Sequence, residues 1–305
     1  MSNARSHCTF LVLQGAAAVL VCFPPAAGHA GPPRAAPARA ARQDCRLGPA
    51  GDAAANAASL TTLAWAPFRR PEIGWDIYAP LAAREIGSAC DAASPGFAAA
   101  LSRWRRAHGL GGSGVMDTAV FTALQQIWLA RRPFVIESRK VCPPPPPESA
   151  LSAALGDELW GGKPALALPE VLSAYRAMRK AAREGDPVIA ADHKLMSIFS
   201  AYRSPDHDAA RCALENNCQG VTRTVCSAHR TAMALDLYLG AAPGSAIDTS
   251  ADINRRFISQ SASYRWMVRN AARFGFVNYP FEPWHWEWTG KTNPSGQIID
   301  PTLGQ

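Results

Sequence analysis

Four side chains in the last third of the chain could carry out hydrolysis together: His229, Asp236, Glu282 and His285. Asp236 lies in Met233-Ala-Leu-Asp236-Leu-Tyr-Leu239, with apolar neighbours on both sides. A carboxylate buried there is costly unless it is paired or bound to a metal. An ion pair with an arginine would satisfy it as well as a metal would. His229 precedes Asp236 by seven positions. On one continuous helix that spacing puts the two about 10 Å apart, too far to share an ion whose ligand bonds are near ~2 Å. An extended strand would part them farther. They converge only if the chain turns after His229 and runs back as the strand bearing Asp236, and Arg230-Thr-Ala232 leaves room for that turn. The segment Glu282-Pro-Trp-His285-Trp adds a carboxylate and an imidazole. Pro283 is expected to break regular structure directly after Glu282, letting the glutamate face His285. A histidine beside tryptophans could equally be a core residue hydrogen-bonded to backbone. The spacing permits a metal site without demanding one.

Taken together, these segments resemble the zinc D-Ala-D-Ala carboxypeptidases of the VanY type, within the larger LAS group of metallopeptidases. That family carries Ser-x-His-x-x-Gly-x-Ala-x-Asp followed by Glu-x-x-His, usually within Glu-Pro-Trp-His-Trp. Here the first block reads Ser227-Ala-His229-Arg-Thr-Ala232-Met-Ala234-Leu-Asp236, and the second is intact at Glu282-Pro-Trp-His285-Trp. Upstream, Ser200-Ala-Tyr202-Arg203-Ser204 is similar to the family's Ser-Gly-Tyr-Arg-Ser, and Tyr264 to Phe276 is similar to its helix before the last strand.

The resemblance implies His229, Asp236 and His285 as ligands of one Zn2+ per chain, with a position left for water, and Glu282 as the general base. It implies that Arg203 steadies a developing oxyanion or a substrate oxygen, against a plain structural salt bridge. Tyr202, Ser204, His207, Ser227 and Trp284 fall on the substrate side of the family pattern. Ser227 could instead merely shape the turn. Two positions depart from the family. Ala232 stands where the family has glycine, so a local backbone adjustment is expected. His207 stands where relatives often carry glutamine, which puts specificity in question. A second metal or a plain loop position are its other readings, and the loop is preferred.

The elements that must position these residues read as an α+β domain. Met196–Tyr202, Met233–Leu239 and Trp284–Trp288 are predicted strands; in the last, Trp284, Trp286 and Trp288 share one face and His285 and Glu287 the other. Pro169–Glu184 and Tyr264–Phe274 are predicted helices, the first opened by proline and the second stopped by Gly275. The expected architecture is a small antiparallel sheet with helices bearing a zinc site, preceded by a small, mostly helical domain. In that first part Phe97, Leu101, Trp104 and His108 recur at helical spacing. Asp117 or Thr118 then caps a second helix with Phe121, Leu124 and Trp128 on one face. This stretch resembles the small helical peptidoglycan-binding domain, although a helical module with no ligand fits the same pattern. The proline run Pro143–Pro147 reads as a stiff spacer. The expected divisions are therefore a signal peptide (1–30), a disordered leader (31–44), the helical domain (45–141), the linker (142–149) and the peptidase-like domain (150–305).

The signal peptide rests on Arg5, the apolar stretch Thr9 to Phe23 and the small residues ending at Ala30; a membrane anchor would need a longer apolar run. Its removal takes Arg5 and no acidic residue, lowering the formal charge from +7 to +6. That modest charge suits polyanionic cell wall, and with no Lys/Arg tract it gives no case for nucleic acid. Cys45, Cys90, Cys142, Cys212, Cys218 and Cys226 remain in the exported chain, an even number that reads as disulfides rather than a cysteine zinc site. The expectation is a monomeric periplasmic or secreted enzyme with no stable membrane span, acting on peptidoglycan and its stem peptides. A D,D-carboxypeptidase leads, an endopeptidase with the same zinc chemistry is its sibling, and an inactive wall-binding protein is the alternative from another class.

Overall fold

The computed structural model describes residues 44–138, 142–214 and 226–290. The expected signal peptide and nearly all of the leader lie outside them, as does Cys218. The architecture is α+β. Ten helices are described: α1 (Ala50–Ser59), α2 (Ala79–Glu85), α3 (Pro95–Ala107), α4 (Thr118–Ala130), α5 (Pro133–Glu137), α6 (Pro169–Gly185), α7 (Pro187–Ala191), α8 (Pro205–Leu214), α9 (Asp252–Gln260) and α10 (Ala262–Asn270). Two small hairpin-like pairs, β1 (Ala64–Trp65) with β2 (Glu72–Ile73) and β3 (Ser152–Ala153) with β4 (Leu166–Ala167), accompany one larger sheet. That sheet holds β5 (Ile198–Ser200), β6 (Ala234–Leu237), β7 (Phe276–Tyr279) and β8 (Glu282–Trp288) in the order β5-β6-β8-β7, every neighbouring pair antiparallel.

The predicted Asp117 cap and both apolar stripes form as the sequence chemistry requires, except that His108 falls at the C-terminal cap of α3 and is exposed. Ser94 opens α3 by accepting from the Phe97 N–H, with Pro95 in the first turn, and Phe97, Leu101 and Trp104 are buried along one stripe. Asp117 caps α4 through the Val120 N–H, burying Val120, Phe121, Leu124 and Trp128. The glycine-rich turn between these helices is pinned by α1: Asn56 donates to the Gly114 carbonyl and accepts from the Met116 N–H, and Asp52 accepts from the Gly114 N–H. A Cβ at Gly114 would meet the Ala98 carbonyl oxygen at 2.3 Å, so only glycine fits there.

Residues on both sides of the proline run belong to one compact unit, Gln43–Gln305. One apolar cluster runs from Trp75, Phe97 and Phe121 through Tyr175 and Leu235 to Trp286. Fully buried Arg255 of α9 joins the two parts, pairing with Glu72 at 3.0 Å, donating to the Tyr78 hydroxyl and reaching the Phe281 carbonyl at 2.9 Å. A charged side chain is held in such a place only by this degree of pairing. Cys45–Cys90 and Cys142–Cys226 are disulfides. The second ties the start of the proline segment to the residue just before Ser227. Disulfides of this kind persist in oxidising compartments. Among the described residues no helix is long and apolar enough to cross a membrane.

Candidate metal centre

His229 reaches the site through a local reversal. It lies in the single 3-10 turn Ala228–Thr231, which ends at Ala232 in the left-handed conformation (φ 58°) before β6 begins. The turn required by the seven-residue spacing is therefore present. The adjustment expected at Ala232 is not: the alanine itself takes the conformation that glycine adopts most easily, fully buried, rather than shifting away from it. Surrounding contacts hold it there, including the Leu168 N–H, which donates to the Ala232 carbonyl.

The end of β5 cradles His229. Its Nδ1 lies 2.7 Å from the Ala201 carbonyl, and its own carbonyl accepts from the Arg203 N–H. Because a carbonyl only accepts, Nδ1 carries a proton and points away from Asp236, leaving Nε2 as the ring atom that faces the carboxylate. That Nε2 stands 3.1 Å from Asp236 Oδ2. Across the sheet Asp236 pairs with His285, whose Nδ1 is 2.9 Å from Asp236 Oδ1. His229, Asp236 and His285 are all buried, and one potential ligand atom from each lies within 4.8 Å of the others. Among the described residues Asp236 is thus partnered by two imidazoles and not by an arginine ion pair. Burial alone would raise its carboxyl, but the two histidines hold it well below the ordinary carboxylate range.

β8 is longer than predicted, beginning at Glu282 rather than Trp284. Pro283 stands inside it, and the ladder is interrupted there: Tyr279 faces Glu282, yet Asn278 already faces Trp286. The missing N–H of proline explains why no regular ladder can continue through that point. Asn278 fastens the irregular turn. Its side-chain amide donates to the His285 carbonyl at 2.9 Å, with the carbonyls of Glu282 and Pro283 nearby, and its oxygen accepts from Tyr264. Glu282 is half-buried at the head of the strand.

His285 has a carboxylate on each side. Its Nε2 is 3.3 Å from Glu287 Oε1, in keeping with the shared face read from the alternation. Burial disfavours a charged imidazole, but the hydrogen bonds to Asp236 and Glu287 outweigh it and raise His285 to about 9. Burial likewise opposes ionisation of Glu287, and Arg132 and His285 overcome it, lowering the carboxyl to about 2.

Of the remaining expected residues, Arg203 meets the turn that carries His229 through the His229 carbonyl and Ser227. Arg203 is buried, with Nη1 3.4 Å from Ser227 Oγ and 3.5 Å from Asp208, and Nη2 3.4 Å from Ser200 Oγ. Burial and nearby Arg211 lower its pKa, while Asp236 and Asp208 oppose them. Ser227 donates both its hydroxyl and its N–H to Asp208. Tyr202 donates its N–H to the Leu166 carbonyl. Ser204 accepts from the His207 N–H at the start of α8, so His207 lies in a helix rather than a loop, and it is exposed. Trp284 is 4% exposed and belongs to the apolar cluster.

Sequence reasoning missed Asp208, Asn278 and Arg132. Asp208 sits in an ordinary polar helix and gave no signal. Asn278 is the lone polar residue in Phe276-Val-Asn-Tyr279, which is the signal that could have found it. No protein-family model matches this chain, and no curated protein matches it significantly.

Proposed function

We propose that this chain is a zinc-dependent peptidase that trims peptidoglycan stem peptides, removing a terminal D-Ala in the manner of the VanY-type carboxypeptidases it resembles. One observation carries the reading: two imidazole nitrogens and a carboxylate, distant in sequence, converge within 4.8 Å in a buried setting. Ligand bonds of about 2.0–2.2 Å to a tetrahedral zinc put neighbouring ligand atoms roughly 3–3.7 Å apart, and with one atom from each of the three side chains already within 4.8 Å of the others, small side-chain shifts bring them to that spacing. Two neutral histidines and one carboxylate make the ligand set of an open, catalytic site rather than a closed, structural one.

In this reading His229 offers Nε2, His285 offers Nδ1 and Asp236 a carboxylate oxygen. Zinc, when bound, supplies Lewis acidity toward a scissile carbonyl and toward water. Glu282 accepts the proton of the attacking water and returns it to the leaving amine. Arg203 directs its guanidinium at the oxygen that gains charge. The helical stretch 45–141 holds the polymeric substrate.

Digestion of purified muropeptides by the zinc-loaded full chain tests the proposal. Free D-Ala supports the carboxypeptidase. Cleaved cross-links would replace it with the endopeptidase, and bound zinc without any product would leave a wall-binding protein.

A further inference from the structure

Glu287 takes no part in the reaction just described, yet it is 1% exposed and touches a candidate ligand. A carboxylate in such a place must be compensated. The compensation comes from far away in sequence: Arg132, between α4 and α5, sends Nε to Glu287 Oε1 at 2.7 Å and Nη2 to the same oxygen at 2.5 Å. The Phe134 N–H donates to Oε2 at 3.1 Å. The Arg132 guanidinium also lies 3.9 Å from the centre of the Tyr279 ring, and that ring meets His285 edge to face at 6.1 Å. Arg132 is itself 7% exposed. Carboxylate, guanidinium and phenol ring thus form a buried brace along one side of the His285 imidazole.

We infer that Arg132 is a positioning residue for the metal centre: it fixes Glu287, and the Glu287 carboxylate accepts the hydrogen bond of the His285 Nε2–H, so that Nδ1 is turned toward the ion beside Asp236. The inference rests on reading His229, Asp236 and His285 as a metal centre. Outer carboxylates that hold a ligating histidine by its second nitrogen fix its tautomer and orientation, and their loss typically costs metal affinity about 10- to 100-fold. What is particular here is the origin of the clamp. It comes from the segment before the proline run, so the helical part of the chain completes the metal site in addition to whatever it binds.

The test is zinc affinity of the full chain, measured by competition with a chromogenic chelator, for wild type, Arg132→Met, Arg132→Lys and Glu287→Gln. Nitrogen-15 NMR of the zinc-loaded His285 ring reports its tautomer. Arg132→Met is expected to weaken zinc about 10- to 100-fold and to lose the single Nε2–H tautomer. Arg132→Lys, which keeps the charge without the planar fork, should fall between the two. If Arg132→Met does not fold, the lysine variant decides by the same readouts. Wild-type affinity and tautomer in the folded variants would overturn the inference while leaving the metal centre standing. A wild type that binds no zinc would overturn both. A wild type that binds zinc without cleaving muropeptides would remove the peptidase alone, and weakened binding in Arg132→Met would still support the brace.

Discussion

Asp236 and His285 face each other across β6 and β8, with Nδ1 of the histidine 2.9 Å from Oδ1 of the aspartate, while the other aspartate oxygen meets Nε2 of His229 at 3.1 Å. The carboxylate thus sits between two imidazoles that belong to different strands and turns. An ion bound there would join the 3-10 turn, β6 and β8 by bonds that the unfolded chain lacks.

Metal should therefore stabilise the fold. At a free zinc concentration of 100 Kd, linkage gives about 2.7 kcal/mol, a rise in Tm on the order of 5–10 °C for a unit of this size. Differential scanning calorimetry with and without a chelator measures it. A Tm unchanged by zinc would count against the centre, and Asp236→Ala should abolish the shift.

Glu282 is half-buried at the head of β8, beside the centre in sequence but outside the ligand set. Glu282→Gln should leave zinc content near wild type and lower kcat by about 10²- to 10⁴-fold, the usual range for a lost general base. Substantial residual turnover would take Glu282 out of that role.

Ala232 holds φ 58° at full burial. Ala232→Val puts a β-branched residue into a conformation it avoids, at a fully buried position, and should cost about 3 kcal/mol. Ala232→Gly relieves backbone strain but loses a buried methyl and frees the unfolded chain, so the change should stay within about 1 kcal/mol. Urea unfolding of the two variants separates these outcomes; equal stability of both would refute the strain account.

Asn278 links Tyr264, the irregular turn of β8 and the His285 carbonyl. Asn278→Ala strands buried polar groups and should lower stability by about 1–3 kcal/mol. It should also weaken zinc, because the turn that aims His285 loosens. A loss of stability with zinc affinity intact would confine Asn278 to the fold.

By itself the sequence determined much of this protein locally. The cap at Asp117, helical stripes such as Phe97-Leu101-Trp104, the strand around Asp236 and the alternation that puts His285 and Glu287 on one face follow from short-range chemistry, which a linear sequence carries in full. The need for a turn after His229 was legible too, since bond lengths forbid any other way of bringing it to Asp236. Tertiary structure decided the rest. Which carboxylate oxygen meets which imidazole, the acceptance of a left-handed Ala232, and the packing of both sides of the proline run into one unit depend on distant contacts. Arg132 and Glu287 lie 155 positions apart. Their pairing is a balance of desolvation against attraction that exists only once the core around them has closed.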